Sequence, residues 1–384
     1  MKRDTGETKL GELVEFNPRE RLKRGEIARK IPMEALEPFT KKIPLGELLS
    51  YQGGVKFKNG DTLVARITPS LENGKTSIVN CLDQGEVGFG STEFIVLRAK
   101  EGITDPEYVY YLATDSYFRD VAIKSMTGSS GRQRVQTDVL KKLPVEIPSL
   151  AEQQKIAHTL SLLDAKIDLL RQQNETLEAM GAAVFREWFV EGANVSTIEE
   201  VAEHVRTSVK PQHNPEKEYQ HFSLPAFDAK RRPVTEKGEE IRSGKYEVLN
   251  DCILVSKLNP RFPRVWLVGR APQNAICSTE FQVFKPTDLN HLSFLYFFFL
   301  SPFAKNRLIM AASGTSGSHQ RVRPSDIAQL EFSYESYDQI ERFDELATPL
   351  LDKVERNNAS IQELEDLRDL LLPKLMSGEV TIRP

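Results

Sequence analysis

Ser91-Thr92-Glu93-Phe94 stands again as Ser278-Thr279-Glu280-Phe281, 187 residues further along the chain. Around it the same thing happens repeatedly. Gly128-Ser129-Ser130-Gly131 returns as Gly314-Thr315-Ser316-Gly317, and Gln133-Arg134-Val135 as Gln320-Arg321-Val322. Asp61-Thr62-Leu63-Val64 resembles Asp251-Cys252-Ile253-Leu254. The offsets run from 186 to 190 and the order is the same, so small insertions account for the drift. One shared tetrapeptide would mean little. Four matches in order across most of a 384-residue chain mean a duplicated unit of about half the protein.

Each half closes on a long helical pattern. Ser149-Leu150-Ala151-Glu152 follows Pro148 and forms a capping box, in which serine and glutamate each satisfy an orphan amide. Ser336-Tyr337-Asp338-Gln339 is the same device one repeat later. No proline interrupts the first helix before Phe189, which predicts a rod of roughly 60 Å at 1.5 Å per residue. The second is expected to run to about Leu372, where Pro373 bends or ends it and Gly378 marks its limit. Both carry a heptad-like seam. Ile156, Leu160, Leu163, Ile167, Leu170, Asn174 and Leu177 alternate at four and three residues. So do Ile340, Phe343, Ala347, Leu350, Val354, Asn357, Ile361 and Leu364. One asparagine interrupts each seam. An antiparallel pairing that buries Asn174 against Asn357 also sets Leu170 against Ile361, Ile167 against Leu364 and Leu177 against Val354. A slip of one heptad strands each asparagine against a hydrophobe.

Before the helices, residues 1–148 and 192–335 read as two mixed α/β domains. Strand-like alternation appears at Thr62–Ile67, Thr76–Asn80 and Glu93–Leu97, and again at Cys252–Leu258, Arg264–Val268 and Glu280–Phe284. Asp105-Pro106 starts a helix with proline at its first position, carrying Tyr108, Tyr111 and Leu112 inward; His291–Leu300 is its counterpart. The expected fold is α+β: two pseudo-symmetric mixed α/β domains separated by two long antiparallel helices forming a coiled coil. Its segments are 1–148, 149–191, 192–335 and 336–384.

Composition excludes several classes. The most apolar run, Phe294 to Leu300, is too short to cross a bilayer, and the charged start Met1-Lys2-Arg3-Asp4, with no apolar segment behind it, sets the expectation of no signal peptide. Cys81, Cys252 and Cys277 lack CxxC spacing, and the six histidines form no HxxxH or HExxH pair. A reducing compartment, cytoplasmic, without a metal site is the expectation. The net charge of −4 divides instructively. Residues 1–148 and 192–335 each carry +2, whereas 149–191 carries −3 and 336–379 carries −6. Two mildly basic domains are averaged with two acidic rods, so the total does not exclude nucleic acid.

The most informative loops come late in each domain: Thr127 to Arg134 and Ser313 to Arg321. Flexible backbone and small hydroxyls let amides approach phosphate, while arginine and glutamine carry forked groups that pair with base edges. One such loop alone reads more readily as a solvated turn; its return at the same place in both halves favours a contact surface. The candidate DNA-contacting residues are Ser129, Ser130, Arg132, Gln133 and Arg134 in the first half. Ser316, Ser318, His319, Gln320 and Arg321 are those of the second. Arg66, Thr68 and Lys75 flank a nearby turn, with Lys257, Asn259 and Arg261 as counterparts. Arg264, Arg270 and Lys230-Arg231-Arg232 add charge in the second half. Glu93 and Glu280 could accept from cytosine, but their identity in both halves favours a structural hydrogen bond.

At these residues the chain resembles the specificity (S) subunits of type I restriction–modification systems. The resemblance rests on Gly128-Ser-Ser-Gly-Arg-Gln-Arg, on Leu143-Pro-Val-Glu-Ile-Pro148-Ser-Leu-Ala-Glu-Gln-Gln-Lys-Ile156, and on Leu163-Asp-Ala-Lys-Ile167. Asn174-Glu-Thr-Leu-Glu-Ala-Met180, Phe185-Arg-Glu-Trp-Phe189 and Leu370-Leu-Leu-Pro-Lys-Leu-Met-Ser-Gly-Glu379 extend it. The second half departs at Tyr334-Glu-Ser-Tyr-Asp-Gln339, although its cap is retained. The resemblance implies two target-recognition domains, each reading half of a split, asymmetric site in double-stranded DNA. The helices would set the spacer and carry two methyltransferase (M) subunits and, in the full complex, restriction (R) subunits. It implies no catalysis, no cofactor and no membrane. Rods of ~60 Å fit readers more than one ~34 Å DNA turn apart.

Two other functions compete. A stand-alone adenine methyltransferase would need more than Asn259-Pro260-Arg261-Phe262, which lacks the second proline of such a loop, and more than Gly88-Phe89-Gly90, which is not GxGxxG. Gly74-Lys75-Thr76 ends like a P-loop, but Pro69 stands where its first glycine belongs. The second is a helical scaffold without DNA binding, since coiled coils are common interaction elements; a salt-dependent DNA-binding slope separates it.

Overall fold

The computed structural model describes residues 8–189, 191–313 and 320–382. The chain divides into two compact units, residues 1–170 with 359–384, and residues 171–358. Each contains one α/β domain and parts of two long helices, Leu150–Trp188 and Tyr337–Ser377.

In the first unit two sheets share a core. One is antiparallel, in the order Val14–Phe16, Phe94–Ala99, Thr62–Ala65, Thr76–Ile78. The other runs Glu47–Ser50, Ile27–Ile31, Gly88–Gly90, Val55–Phe57, with the middle two strands parallel. The run Phe94-Ile95-Val96-Leu97 has no polar alternation because it is covered on both faces. Phe94 and Val96 point with Leu63 into a cluster holding Phe57 and Leu36. Ile95 and Leu97 point with Val64 the other way, against Val109, Ala113 and Phe118 of the helices. The helix Pro106–Thr114 starts where Asp105 accepts from the Tyr108 amide at 3.0 Å, and its Tyr108, Tyr110 and Tyr111 are buried.

The second unit repeats this plan. Ala202–Val205, Phe281–Pro286, Cys252–Ser256 and Val265–Val268 form the antiparallel sheet. Ser208–Val209, Lys245–Glu247, Ala275–Ser278, Glu218–Phe222 and Val234–Lys237 form the other, with one added edge strand and again one parallel pair. The apolar run Phe294–Leu300 belongs to the helix Leu292–Leu300, whose phenylalanines fill the core. No helix among the described residues is long and apolar enough to cross a membrane.

Several expected boundaries move. The strands from Thr62 and Cys252 end at Ala65 and Ser256, not Ile67 and Leu258. There the backbone leaves the sheet for other partners, described below. The second long helix passes through Pro373 and ends only at Gly378, which has a φ of 75°. Pro349 also lies inside it. Both prolines are exposed, so each lost amide bond faces solvent. Beyond Pro373, Leu375 and Met376 are held in a core with Ile156, Ala157, Leu160 and Tyr111, which keeps the backbone helical.

The first cap is reciprocal: the Glu152 amide donates to Ser149 Oγ at 3.4 Å and the Ser149 amide to the Glu152 carboxylate at 3.3 Å. In the second, the Gln339 amide donates to Ser336 Oγ, but its side chain accepts from the Glu335 amide and donates to the Trp188 carbonyl. Within each unit the helix segments run antiparallel. In the first, Arg368 meets Asp164 at 2.9 Å. In the second, Asn357 Nδ2 donates to Asn174 Oδ1 at 2.8 Å and to Gln173 at 2.9 Å. The seam is broader than a strict heptad. Asp164 is buried beside a half-buried Leu163, and Leu351 beside a half-buried Leu350. Leu351 sits in the core of its own domain, so the helix packs on that domain as well as on its partner.

Candidate nucleic-acid interface

Three backbone segments converge at the same place in each domain. In the first, Arg66 N donates to the Glu93 carbonyl at 2.9 Å, Val135 N to Arg66 at 2.9 Å and Thr68 N to Gln133 at 3.0 Å. Thr127 and Arg134 exchange amide bonds of 3.0 and 2.9 Å, closing the glycine–serine loop as a hairpin. In the second, Lys257 N donates to Glu280 at 2.9 Å, Val322 N to Lys257 at 2.9 Å and Asn259 N to Gln320 at 2.8 Å. Ser313 and Arg321 exchange bonds of 3.0 Å each. The Arg66 and Lys257 amides still bond the neighbouring strand, while the bonds with Val135 and Gln133, and with Val322 and Gln320, pass each chain from its sheet to the late loop.

One ion pair locks each ring of segments. Arg134 holds Glu93 bidentately, with Nε at 2.9 Å and Nη2 at 2.7 Å. Arg321 holds Glu280 at 3.3 and 3.1 Å. The glutamates are presented by serine turns: Ser91 Oγ and Ser278 Oγ accept from the amides two residues on. The hydrogen bond from Arg134 outweighs partial burial and holds the Glu93 carboxyl below the usual range. The same bond raises the Arg134 guanidinium, and Glu280 does so for Arg321. Arg134 and Arg321 thus tie the late loops to the strands that carry Glu93 and Glu280. Constant spacing of both the glutamates and the arginines was the signal for this pairing.

The remaining side chains differ in availability. Ser129, Ser130 and Arg132 are exposed at the hairpin tip, and Arg132 makes no ion pair among the described residues. Gln133 is half-buried. Arg66 lies 3.9 Å from Glu93, with its Nε buried and unpartnered. Thr68 Oγ1 reaches Glu72 at 3.3 Å, and Lys75 donates to the Met33 carbonyl at 3.1 Å, so these two are partly engaged within the domain. Lys257 is half-buried, Asn259 holds a φ of 52°, and Arg261 is exposed. Arg264 is bound to Asp228 at 2.6 and 2.8 Å. Ser316, Ser318 and His319 lie outside the described residues. Among the described residues no His, Cys, Asp and Glu cluster could hold a metal ion.

Each domain is also tied to its helix segments. Tyr111 donates to Asp164 at 2.6 Å, and Asp164 accepts from Arg368. In the second unit Asp344 accepts from the Ser293 and Phe294 amides at 2.7 and 3.2 Å, capping the core helix from outside it. Burial raises the Asp344 carboxyl despite these bonds. None of these ties is visible in the sequence periodicity.

A family model described as the type I restriction modification DNA specificity domain matches residues 2–179. The MjaIX specificity subunit of Methanocaldococcus jannaschii is 25% identical over 316 residues, 74% of this chain and 71% of the relative. The HindI specificity subunit of Haemophilus influenzae is 36% identical over 139 residues, 35% of this chain and 28% of the relative. The type I S subunit from M. genitalium has a similar fold, with a TM-score of 0.55 and 16% identity over 98% of this chain and 97% of that one. Residues 2–179 match the type I restriction modification DNA specificity domain, the second half repeats their topology, and 74% of the chain is similar to a type I restriction enzyme specificity subunit.

Proposed function

We propose that each α/β domain reads one half of a bipartite, asymmetric sequence in double-stranded DNA. One observation carries this reading: the two domains share an identical anchored ring, while the side chains it presents differ. Glu93 with Arg134 and Glu280 with Arg321 are the constant frame. Arg66, Thr68 and Ser70 stand where the other domain has Lys257, Asn259 and Arg261, and the sequence of the Ser129–Arg132 tip differs from Thr315–Ser318. A frame that is held fixed while its exposed groups change is what two readers of different half-sites require. Their near-neutral charge means affinity comes from local arginine and lysine and from partner subunits on the same DNA.

The long helices, acidic and continuous, would hold the two readers at a set spacing and dock methyltransferase subunits, two per chain, and restriction subunits in the full complex. The chain itself would be non-catalytic and act in the cytoplasm. A half-site experiment tests the reading. Arg132→Ala weakens binding to duplexes carrying the first half-site and leaves the second half-site preference intact. Equal loss at both would overturn the two-reader assignment, and DNA binding without a salt-dependent slope would overturn DNA recognition itself.

A further inference from the structure

Asn259-Pro260-Arg261-Phe262 does not serve a methyltransferase reaction in this reading, yet the fold singles it out. Its counterpart in the first domain is Thr68-Pro69-Ser70-Leu71, aligned by the matching bonds from Thr68 N to Gln133 and from Asn259 N to Gln320. The two turns end differently. Leu71 is 0% exposed and packs into the core with Val64 and Val135. Phe262 is 67% exposed. Its amide donates to the Asn259 carbonyl at 3.0 Å, Pro260 is buried, and Asn259 takes a left-handed φ of 52°, so the turn is closed and rigid. Arg261 beside it is exposed, and the carbonyl of Gln320, next to the anchored Arg321, accepts from the Asn259 amide.

We propose that Phe262 is a specificity-determining residue of the second domain, making an apolar contact with a base in its half-site. The inference rests on the DNA-reading function above. A phenyl ring has no donor or acceptor, so it reads what hydrogen bonds cannot: a thymine methyl in the major groove, or the face of a base at a step it unstacks. The closed turn presents the ring with little backbone ordering on binding, and Arg261 offers phosphate a charge beside it. The buried leucine of the first domain cannot do this, which gives the two domains different apolar readout from one frame.

The test uses the full chain with its methyltransferase subunits and the duplex defined by the methylated-adenine motif of cells carrying the system. Phe262→Ala weakens binding to that duplex roughly tenfold, the effect of losing one good base contact. It leaves random-duplex binding and the salt slope unchanged, because no charge is removed. Phe262→Trp retains discrimination, and the thermal midpoints of both variants match the wild type because the ring is mostly outside the core. Thymine-to-uracil replacement at one position of the second half-site reproduces the loss if the methyl is read. A 2-aminopurine signal that rises with wild type and not with Phe262→Ala identifies the unstacked step. Unchanged discrimination by Phe262→Ala overturns the proposal, as does loss of methyltransferase co-purification with DNA discrimination intact. If the wild type fails to discriminate the motif from random duplex, the DNA-reading function falls instead.

Discussion

Arg368→Met is the sharpest test of how the first domain is held on its helix segments. The guanidinium donates to Asp164 at 2.9 Å, with side-chain exposures of 12% and 8% for the two partners. Methionine keeps the apolar stem and removes the charge. Asp164 then remains a buried carboxylate whose remaining side-chain donor is Tyr111, at 2.6 Å. Leaving one member of a buried pair costs about 3–5 kcal/mol. Asp369, the other partner of Arg368, is largely exposed and loses little. The double variant Asp164→Leu with Arg368→Met removes both charges, so the cost falls to about 1 kcal/mol, mainly for the hydroxyl of Tyr111. That hydroxyl keeps Ser161 nearby at 3.3 Å. The readout is hydrogen exchange of the Pro106–Thr114 amides across a urea series, because a chain of two units need not unfold in one step. A single-variant cost below about 1 kcal/mol, the range of a surface pair, refutes the reasoning. So does a double variant as unstable as the two single costs combined.

Three further outcomes follow from the same geometry. The Glu93 carboxyl titrates below its usual 4.5 because Arg134 binds it, so its contribution to stability is complete above that pH and is lost as pH falls through the lower folded value. A carbon-13 NMR titration should show this midpoint and its return upward in Arg134→Ala; a wild-type midpoint at or above 4.5 would contradict the anchor. Asn357→Leu lowers the thermal midpoint by depriving Asn174 of its buried partner, and adding Asn174→Leu restores or exceeds the wild-type value; a double variant as unstable as the single would count against the seam. Gly181→Ala places a Cβ against the ring of Phe297, which is 1% exposed and has no room to retreat. Overlap costs about 1–3 kcal/mol and outweighs the ~1 kcal/mol gained in helix propensity, so calorimetry should find net destabilisation.

Much of the architecture is legible in the residues because it depends on local patterns and on repetition. The strands around Leu63, Val96, Leu254 and Val283 are apolar runs of the right length, and Asp105-Pro106 caps a helix by chemistry within four residues. What misleads is proline. Pro373 has the local signature of a helix end, but Leu375 and Met376 gain enough burial against Ile156 and Leu160 to carry the helix past it. The candidate site is legible as loops and as types of residue. Which arginine is free is not: Arg132 and Arg134 are two residues apart in one loop, yet only Arg134 reaches a carboxylate.

The chain by itself determines that it is a duplicated molecule with two long helices, because periodicity and a 187-residue repeat are properties of sequence order alone. Tertiary structure decides which of the repeated residues face the outside. Glu93 with Arg134 and Glu280 with Arg321 are brought together across 41 residues by strand pairing and a hairpin closure. Leu71 and Phe262 occupy the same turn, one inward and one outward. Such choices depend on packing between segments far apart in the chain, such as Leu71 with Val64 and Val135, which forms only once both faces of the sheet are covered.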